Sequence, residues 1–258
     1  NYKSVLLSIR KELDMYANIR PIRPLPSVKG ILDRSDFNFV IVRENTEGLY
    51  SGIEEIGENV STTKRIISRT GSARIAEYAC KLAKGRRSDL TIVHKSNVMK
   101  SDKLFLDVCR KVAAANEVKE HDELVDSMAY KLLVSPEKYD VVVTTNLFGD
   151  ILSDMSAALA GGLGLLPSAN IGEKHAFFEP VHGSAPDIAG EGIANPIAAV
   201  LSLKMLLEWN GNTEAASIVE EAVDYSLNTG IRTPDLGGSS STKEVGSAIV
   251  NYIRSKSN

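Results

Sequence analysis

The sequence predicts an α/β fold, and three observations carry that expectation. Strand and helix patterns alternate from residue 37 to 160 at the spacing of β-α-β units. The clearest strand, Tyr139-Asp-Val-Val-Val-Thr-Thr145, is a β-branched run of the kind buried on both faces in a parallel sheet. The composition is globular: of 258 residues, 43% are hydrophobic and 24% charged, enough for two small lobes or one large one.

Taken in order, Leu6, Ile9, Leu13 and Tyr16 recur at helical spacing over residues 4–17, with Ser4 available as an N-cap. Arg10 lies on or beside that face, as a salt-bridged structural arginine or as a ligand clamp. Residues 17–21 read as an extended exit, because the residue before Pro21 avoids the α region. Pro21, Pro24 and Pro26 mark a loop and a lobe boundary. Phe37–Arg43 is a strand that ends in the polar cluster Arg43-Glu-Asn-Thr-Glu-Gly48, with Tyr50 just beyond. Residues 60–70 alternate loosely and suggest an exposed strand. Ser72–Lys84 is a helix, Leu90–His94 a short strand with Lys95 at its end, and Leu104–Ala115 a further helix. Val125-Asp126 closes a strand or turn, and Met128–Leu133 is helical.

The strand at 139–145 leads into a helix with Asp150 and Asp154 on one face, about 6 Å apart. The Gly-rich stretch 157–166 has the spacing of neither G-x-G-x-x-G nor a P-loop. Short strands or loops follow at 169–172 and 176–181, then a glycine-punctuated polar loop from His182 to Gly190. Asn195-Pro196 starts an apolar helix to Trp209, Thr213–Tyr225 is amphipathic, and Ser241–Lys256 forms a terminal helix. There is no internal repeat.

Charge and cysteine usage exclude several classes. A net charge of −3 supplies no basic field for extended nucleic-acid binding. No stretch of 18 apolar residues is present for a membrane span. Two cysteines, both in helical patterns, make neither a disulfide framework nor a metal cluster and point to a reducing, cytoplasmic setting.

Asp150 and Asp154 repel each other unless a cation sits between them. The plain alternative is that one caps the helix near Asn146 while the other is solvated. Hard carboxylates without Cys or clustered His favour Mg²⁺ or Mn²⁺ over zinc, and Asp126 is a third candidate. Arg10, Arg20 and Arg43 would suit a substrate with more than one carboxylate, although Arg–Asp pairs are also ordinary structural glue. Lys95 and Tyr50 are candidates for base and acid.

With those residues placed, the chain resembles the β-decarboxylating dehydrogenases of 2R-hydroxyacids: the 3-isopropylmalate, isocitrate and homoisocitrate dehydrogenases. The matching motifs are 13–21 (Leu-Asp-Met-Tyr-Ala-Asn-Ile-Arg-Pro), 42–48 (Val-Arg-Glu-Asn-Thr-Glu-Gly), 94–98 (His-Lys-Ser-Asn-Val) and 146–154 (Asn-Leu-Phe-Gly-Asp-Ile-Leu-Ser-Asp), with 167–172 and 179–190. The resemblance implies the two-lobe fold of that family, with a non-Rossmann dinucleotide site and an N-terminal part absent from this sequence. Residues 1–15 and 161–258 would form the larger, dinucleotide-binding lobe. Residues 16–160 would form a dimerisation and metal/substrate lobe, with an arm near 50–70.

The resemblance also implies roles. Arg10, Arg20 and Arg43 look like carboxylate clamps, with Asn97 also at the substrate. Asp150 and Asp154 would bind Mg²⁺ or Mn²⁺ together with the partner subunit's Asp126. Tyr50 would protonate the enol after decarboxylation, and the partner subunit's Lys95 would take the C2 hydroxyl proton. The assembly would be a homodimer with shared sites, or a tetramer. The dinucleotide would meet His182, Gly183, Ser184, Ala185, Asp187, Ile188 and Asn195. An acidic Asp187 suits the 2′-OH of NAD and repels the 2′-phosphate of NADP.

Substrate choice lies four and six positions before Arg10, where isocitrate enzymes usually carry Asn and Ser. Leu6 suits an isopropyl group and Ser4 points toward isocitrate. The expectation is 3-isopropylmalate, within leucine biosynthesis, with isocitrate or homoisocitrate as the alternative. A non-catalytic regulatory or structural subunit is the alternative of another class.

Overall fold

The computed structural model describes residues 5–256. Its elements are α1 (Val5–Glu12), β1 (Ala17–Ile22), β2 (Phe39–Glu44), β3 (Glu54–Ile56), β4 (Ser61–Thr63), α2 (Arg69–Lys84), β5 (Asp89–His94), α3 (Lys100–Ala115), β6 (Lys119–Leu124), α4 (Val125–Val134), β7 (Val141–Thr144), α5 (Asn146–Ala160), β8 (Pro167–Ile171), β9 (Ala176–Pro180), α6 (Ile197–Trp209), α7 (Thr213–Asn228) and α8 (Thr242–Lys256). Seven strands form one sheet in the order β6-β5-β7-β2-β1-β8-β9, and β3 and β4 pair separately. This is an α/β fold, as the alternation of strands and helices predicts. Among the described residues no helix is long and apolar enough to cross a membrane.

The chain divides into two compact units. The first holds the chain through Arg20, then Phe37–Met155 and Asn170–Phe177; the second holds Pro21–Asp36, Ser156–Ala169 and the chain from Phe178. This division differs from the expected one at residues 15 and 160: α1 and residues 170–177 fall in the first unit, and residues 21–36 and 156–160 in the second. The Asn18 and Asn45 amides both donate to Asn170 Oδ1, at 2.9 and 3.0 Å, and tie Asn170 into the first unit.

In the first unit, β2 and β7 run parallel, with Val40 opposite Val141 and Arg43 opposite Thr144. Both strands are buried along their whole length, which is why they read as unbroken apolar runs. Helix α2 covers them with buried Ile75 and Ala79, and α3 packs beside it on β5 and β6 with buried Phe105 and Cys109. In the second unit, Leu165, Ile197, Leu201, Val223, Leu227, Val245 and Ile249 pack between α6, α7 and α8.

Four local expectations change. The first helix ends at Glu12 rather than reaching residue 17, because Asp14 takes a positive φ of 46° and Met15 N–H closes back onto Arg10 O. The exposed strand at 60–70 shrinks to Ser61–Thr63, paired with Glu54–Ile56, because Ser68 caps α2 by accepting the Gly71 N–H. Asp126 lies in the first turn of α4 rather than in a strand or turn, since Met128 and Leu132 bury one face of that helix. Strand β6 is the short strand expected to close at Val125-Asp126, and it ends one residue earlier, at Leu124. Its Lys-Glu-His-Asp-Glu-Leu sequence is polar because β6 is an edge of the sheet.

Candidate active site

Three elements of the first unit bring the central charges together. Strand β1 presents Arg20, β2 presents Arg43, and α5 presents Asn146, Asp150, Ser153 and Asp154. Arg43 is only 2% exposed, and its Nε and NH2 both donate to Asn146 Oδ1, at 3.0 and 2.7 Å. Its NH1 donates to Asp150 Oδ1. Arg20 NH2 lies 3.3 Å from the same oxygen, and Arg20 NH1 bonds Ser153 Oγ at 2.6 Å and Asp154 Oδ1 at 3.2 Å. Tyr50 donates its hydroxyl to Asp150 Oδ2 at 2.9 Å, while the Arg43 guanidinium stands 5.2 Å from its ring centroid. Arg10 lies close enough for its charge to act on Asp150, Arg20 and Arg43.

Burial and the neighbouring Arg43 push Arg20 down to about 10, with Asp150 and Asp154 opposing the shift. Burial raises the Tyr50 phenol, and its bond to Asp150 raises it further. The two carboxylates differ. Burial pushes Asp150 up, but Arg43, Arg20 and the Tyr50 bond outweigh it and leave the carboxyl below the ordinary range. For Asp154, burial and the Asp150 charge outweigh Arg20, and the carboxyl sits above the ordinary range. Asp150 thus faces two buried guanidiniums, whereas Asp154 pairs with Arg20 alone and is the less compensated of the two. An oxygen-only donor pair whose charge is only partly met by arginines fits Mg²⁺ or Mn²⁺.

Backbone shape makes room for this cluster. A Cβ on Gly149 would stand 2.6 Å from Arg43 Cβ and 2.7 Å from its Cγ, so α5 approaches Arg43 only because residue 149 is glycine. Gly149→Ala should lower stability by about 1–3 kcal/mol and raise the substrate KM, because Arg43 must shift to admit the methyl group. Denaturant unfolding and steady-state kinetics check both effects.

Lys95 and Asp126 are brought together, but apart from this cluster. The Lys95 ammonium bonds Asp126 Oδ1, and that hydrogen bond lowers the Asp126 carboxyl. Among the described residues no group of three or more His, Cys, Asp or Glu is placed to hold a metal ion, so Asp126 does not join Asp150 and Asp154 within one chain. Asn97 is exposed in the turn after Lys95. Leu6 is 42% exposed on α1, one turn before Arg10, and Ser4 lies outside the described residues.

In the second unit, His182, Gly183, Ser184, Ala185 and Asp187 lie on an exposed loop, with Ile188 half-buried. His182 Nδ1 is 2.8 Å from Gly183 O, and Ala185 takes a left-handed φ of 43° before the short turn Pro186–Ile188. Asn195 Oδ1 accepts the Ile197 N–H at 3.0 Å at the start of α6, and its amide donates to Asp235 Oδ2 at 3.0 Å.

Sequence reasoning missed the residues that hold the arginines. Arg20 Nε donates to Asn18 Oδ1 at 2.7 Å, and Asn18 in turn bonds the buried Asn170. Asn18 stands two positions from Arg20 on the same strand face, a spacing that could have flagged it. Asn146 and Ser153 lay inside the 146–154 motif without an assigned role. Asp235, the partner of Asn195, had no local signal.

Comparison with known proteins places this arrangement. The isocitrate/isopropylmalate dehydrogenase family profile matches residues 1–249. The chain is 48% identical to a homoisocitrate dehydrogenase of Methanocaldococcus jannaschii, over 99% of this chain and 77% of that protein. It is 47% identical to a 3-isopropylmalate/3-methylmalate dehydrogenase of the same organism, over 97% of this chain and 77% of that protein. The crystal structure of isocitrate dehydrogenase from Methylococcus capsulatus superposes with a TM-score of 0.94 at 43% identity, covering 98% of this chain and 78% of that one. The chain therefore belongs to the isocitrate/isopropylmalate dehydrogenase family, whose members are NAD-dependent β-decarboxylating dehydrogenases of 2-hydroxy acids.

Proposed function

We propose that this chain oxidatively decarboxylates a 2R-hydroxy acid that carries a carboxylate on C3, with homoisocitrate or isocitrate as substrate, NAD as hydride acceptor and Mg²⁺ or Mn²⁺ as the ion. The observation that carries the reading is the convergence of buried Arg20 and Arg43 with Tyr50 on the Asp150/Asp154 face of α5. The substrate class rests on the relatives named for homoisocitrate and isocitrate, and it replaces the 3-isopropylmalate expectation as the main reading. The exposed aliphatic side chain of Leu6 favours 3-isopropylmalate as a second reading.

In this reading Arg10, Arg20 and Arg43 bind the substrate carboxylates, and their forked donors fix the C2–C3 bond in one orientation. The partner subunit's Lys95 accepts the C2 hydroxyl proton as hydride leaves for the nicotinamide. Tyr50 then returns a proton to carbon after CO₂ departs. Its raised phenol keeps that proton in place at neutral pH. Asp150 and Asp154 would hold the divalent ion with the partner subunit's Asp126; when bound, the ion supplies Lewis-acid stabilisation of the negative charge developing on the substrate. Asp187 on its exposed loop would select NAD over NADP, and the second unit would carry the dinucleotide. Two copies of the chain would share their active sites.

NADH production should be measured with homoisocitrate, isocitrate and 3-isopropylmalate in parallel, each with Mg²⁺, and repeated with NADP. The expected result is the highest kcat/KM with one of the two tricarboxylates and with NAD. A higher kcat/KM for 3-isopropylmalate would overturn the substrate, and preference for NADP would overturn the role of Asp187. No turnover with any of them would favour a binding-only subunit.

A further inference from the structure

Lys95 leaves the end of β5 in a turn whose backbone is held by a buried carboxylate. The Lys95 N–H donates to Asp102 Oδ2 at 2.7 Å, and Asp102, in the first turn of α3, is wholly buried. The other oxygen of Asp102 faces Arg65 NH1 at 2.5 Å. Arg65 also donates to Ser101 Oγ at 2.9 Å and to Thr145 Oγ1 at 3.0 Å. Its guanidinium stands 5.5 Å from the Phe148 ring centroid. One side chain therefore joins three segments: the base of the β3–β4 hairpin, the carboxylate that holds the Lys95 backbone, and the first turn of α5.

A buried ion pair is weak evidence for stability, because desolvating both charges offsets much of their attraction. What a forked, multiply bonded guanidinium does provide is fixed relative position. The segments fixed here are the turn that carries Lys95 and the first turn of α5, and in the proposed dimer they serve the two different active sites, so the pair sets the platform from which Lys95 reaches out of its own chain.

We propose that the Arg65–Asp102 pair is a positioning element for the reaction, fixing the backbone from which Lys95 is presented to the site it completes on the partner subunit. The proposal rests on the reading of Lys95 as the base that takes the C2 hydroxyl proton. Misplacing a reacting group by about 1 Å can cost on the order of 10²-fold in rate. The carboxylate-binding arginines are untouched by the pair, so its loss should fall on kcat rather than KM.

The test compares Arg65→Lys, the charge-balanced double variant Arg65→Gln/Asp102→Asn, Lys95→Ala, and each of the Arg65 variants combined with Lys95→Ala. The double variant should lower kcat by about 10- to 100-fold with KM nearly unchanged. Arg65→Lys should fall between it and the parent, because it keeps the charge and loses the fork. In the Lys95→Ala background the same substitutions should cost nothing further, since a residue acting only through Lys95 has nothing left to position. Full activity of Lys95→Ala would overturn the reading of Lys95 itself. With Lys95→Ala impaired, an unchanged kcat in the double variant, or an equal drop with and without Lys95, would overturn the positioning role. If the double variant fails to fold, Arg65→Lys carries the same comparison alone: a drop in kcat that disappears in the Lys95→Ala background supports the role, and any other result overturns it.

Discussion

Asp150→Asn and Asp154→Asn should each reduce turnover by on the order of 10²- to 10³-fold or more, yet only the first should lower stability. Asp150 accepts from Arg43 and Tyr50 and faces Arg20, and its carboxyl is held below the ordinary range despite burial. A carboxylate with a depressed folded value contributes stability that is fully present above its unfolded value, about 3.9, and lost as pH falls through the lower folded one. Asp154 has the opposite sign. Its folded value is raised, so stability declines as pH rises from the unfolded value through the folded one, and at neutral pH its charge is a net cost.

Removing Asp150 leaves buried Arg43 and Arg20 with half their countercharge. The expected loss is about 2 kcal/mol, below the usual figure for breaking a buried pair because a third of the Asp150 side chain meets solvent. Asp154→Asn should be neutral or stabilising. Urea unfolding of both variants at pH 7, with a chelator present, gives the comparison. Equal destabilisation by the two substitutions would show that Asp154 serves as a structural countercharge like Asp150.

Tyr50→Phe should lower kcat by about 10²- to 10⁴-fold while leaving substrate KM close to the parent value. The substitution removes the hydroxyl that donates to Asp150 and keeps the ring beside the Arg43 guanidinium. Packing around the arginines therefore survives, and only the proton donor is lost. Steady-state kinetics with a tricarboxylate substrate reads the effect. A variant that kept most of the parent kcat would remove Tyr50 from proton transfer.

Much of the site was legible because its chemistry is written in charged residues at strand ends and in one i,i+4 pair. Arg20, Arg43, Tyr50, Asp150 and Asp154 were all named before any geometry, and the structure brings them into one cluster. The parallel sheet was legible for a related reason: β2 and β7 are buried on both faces and cannot carry polar alternation.

What escaped were residues whose role depends on distant partners. Asn18 and Asn170 are separated by 152 positions, and asparagine is too common in turns to stand out. Glu47 belongs to a recognised motif, yet its carboxylate accepts the Ser68 N–H at 2.8 Å and sits at the start of α2 rather than at the arginines. Arg65 lay inside a segment read as an exposed strand, where an arginine attracts no notice. Strand β6 was legible only at its end, near Val125, since its polarity reflects its place at the edge of the sheet rather than a lack of structure.

The β3–β4 hairpin has a thermodynamic consequence. Every residue of both strands is exposed, and Ile56 and Val60 near its turn are 77% and 71% open to water. A lone two-stranded hairpin is marginal in water. Its order therefore responds to whatever buries those side chains, and if that is a second copy of the chain, its order becomes a function of protein concentration. The hairpin begins just after Tyr50 and ends just before Arg65, and the Gly48–Ile66 bridge pins its base. Folding of this small element, assembly and the placement of Tyr50 and Arg65 at its two ends are then linked equilibria, and dilution would loosen all of them together.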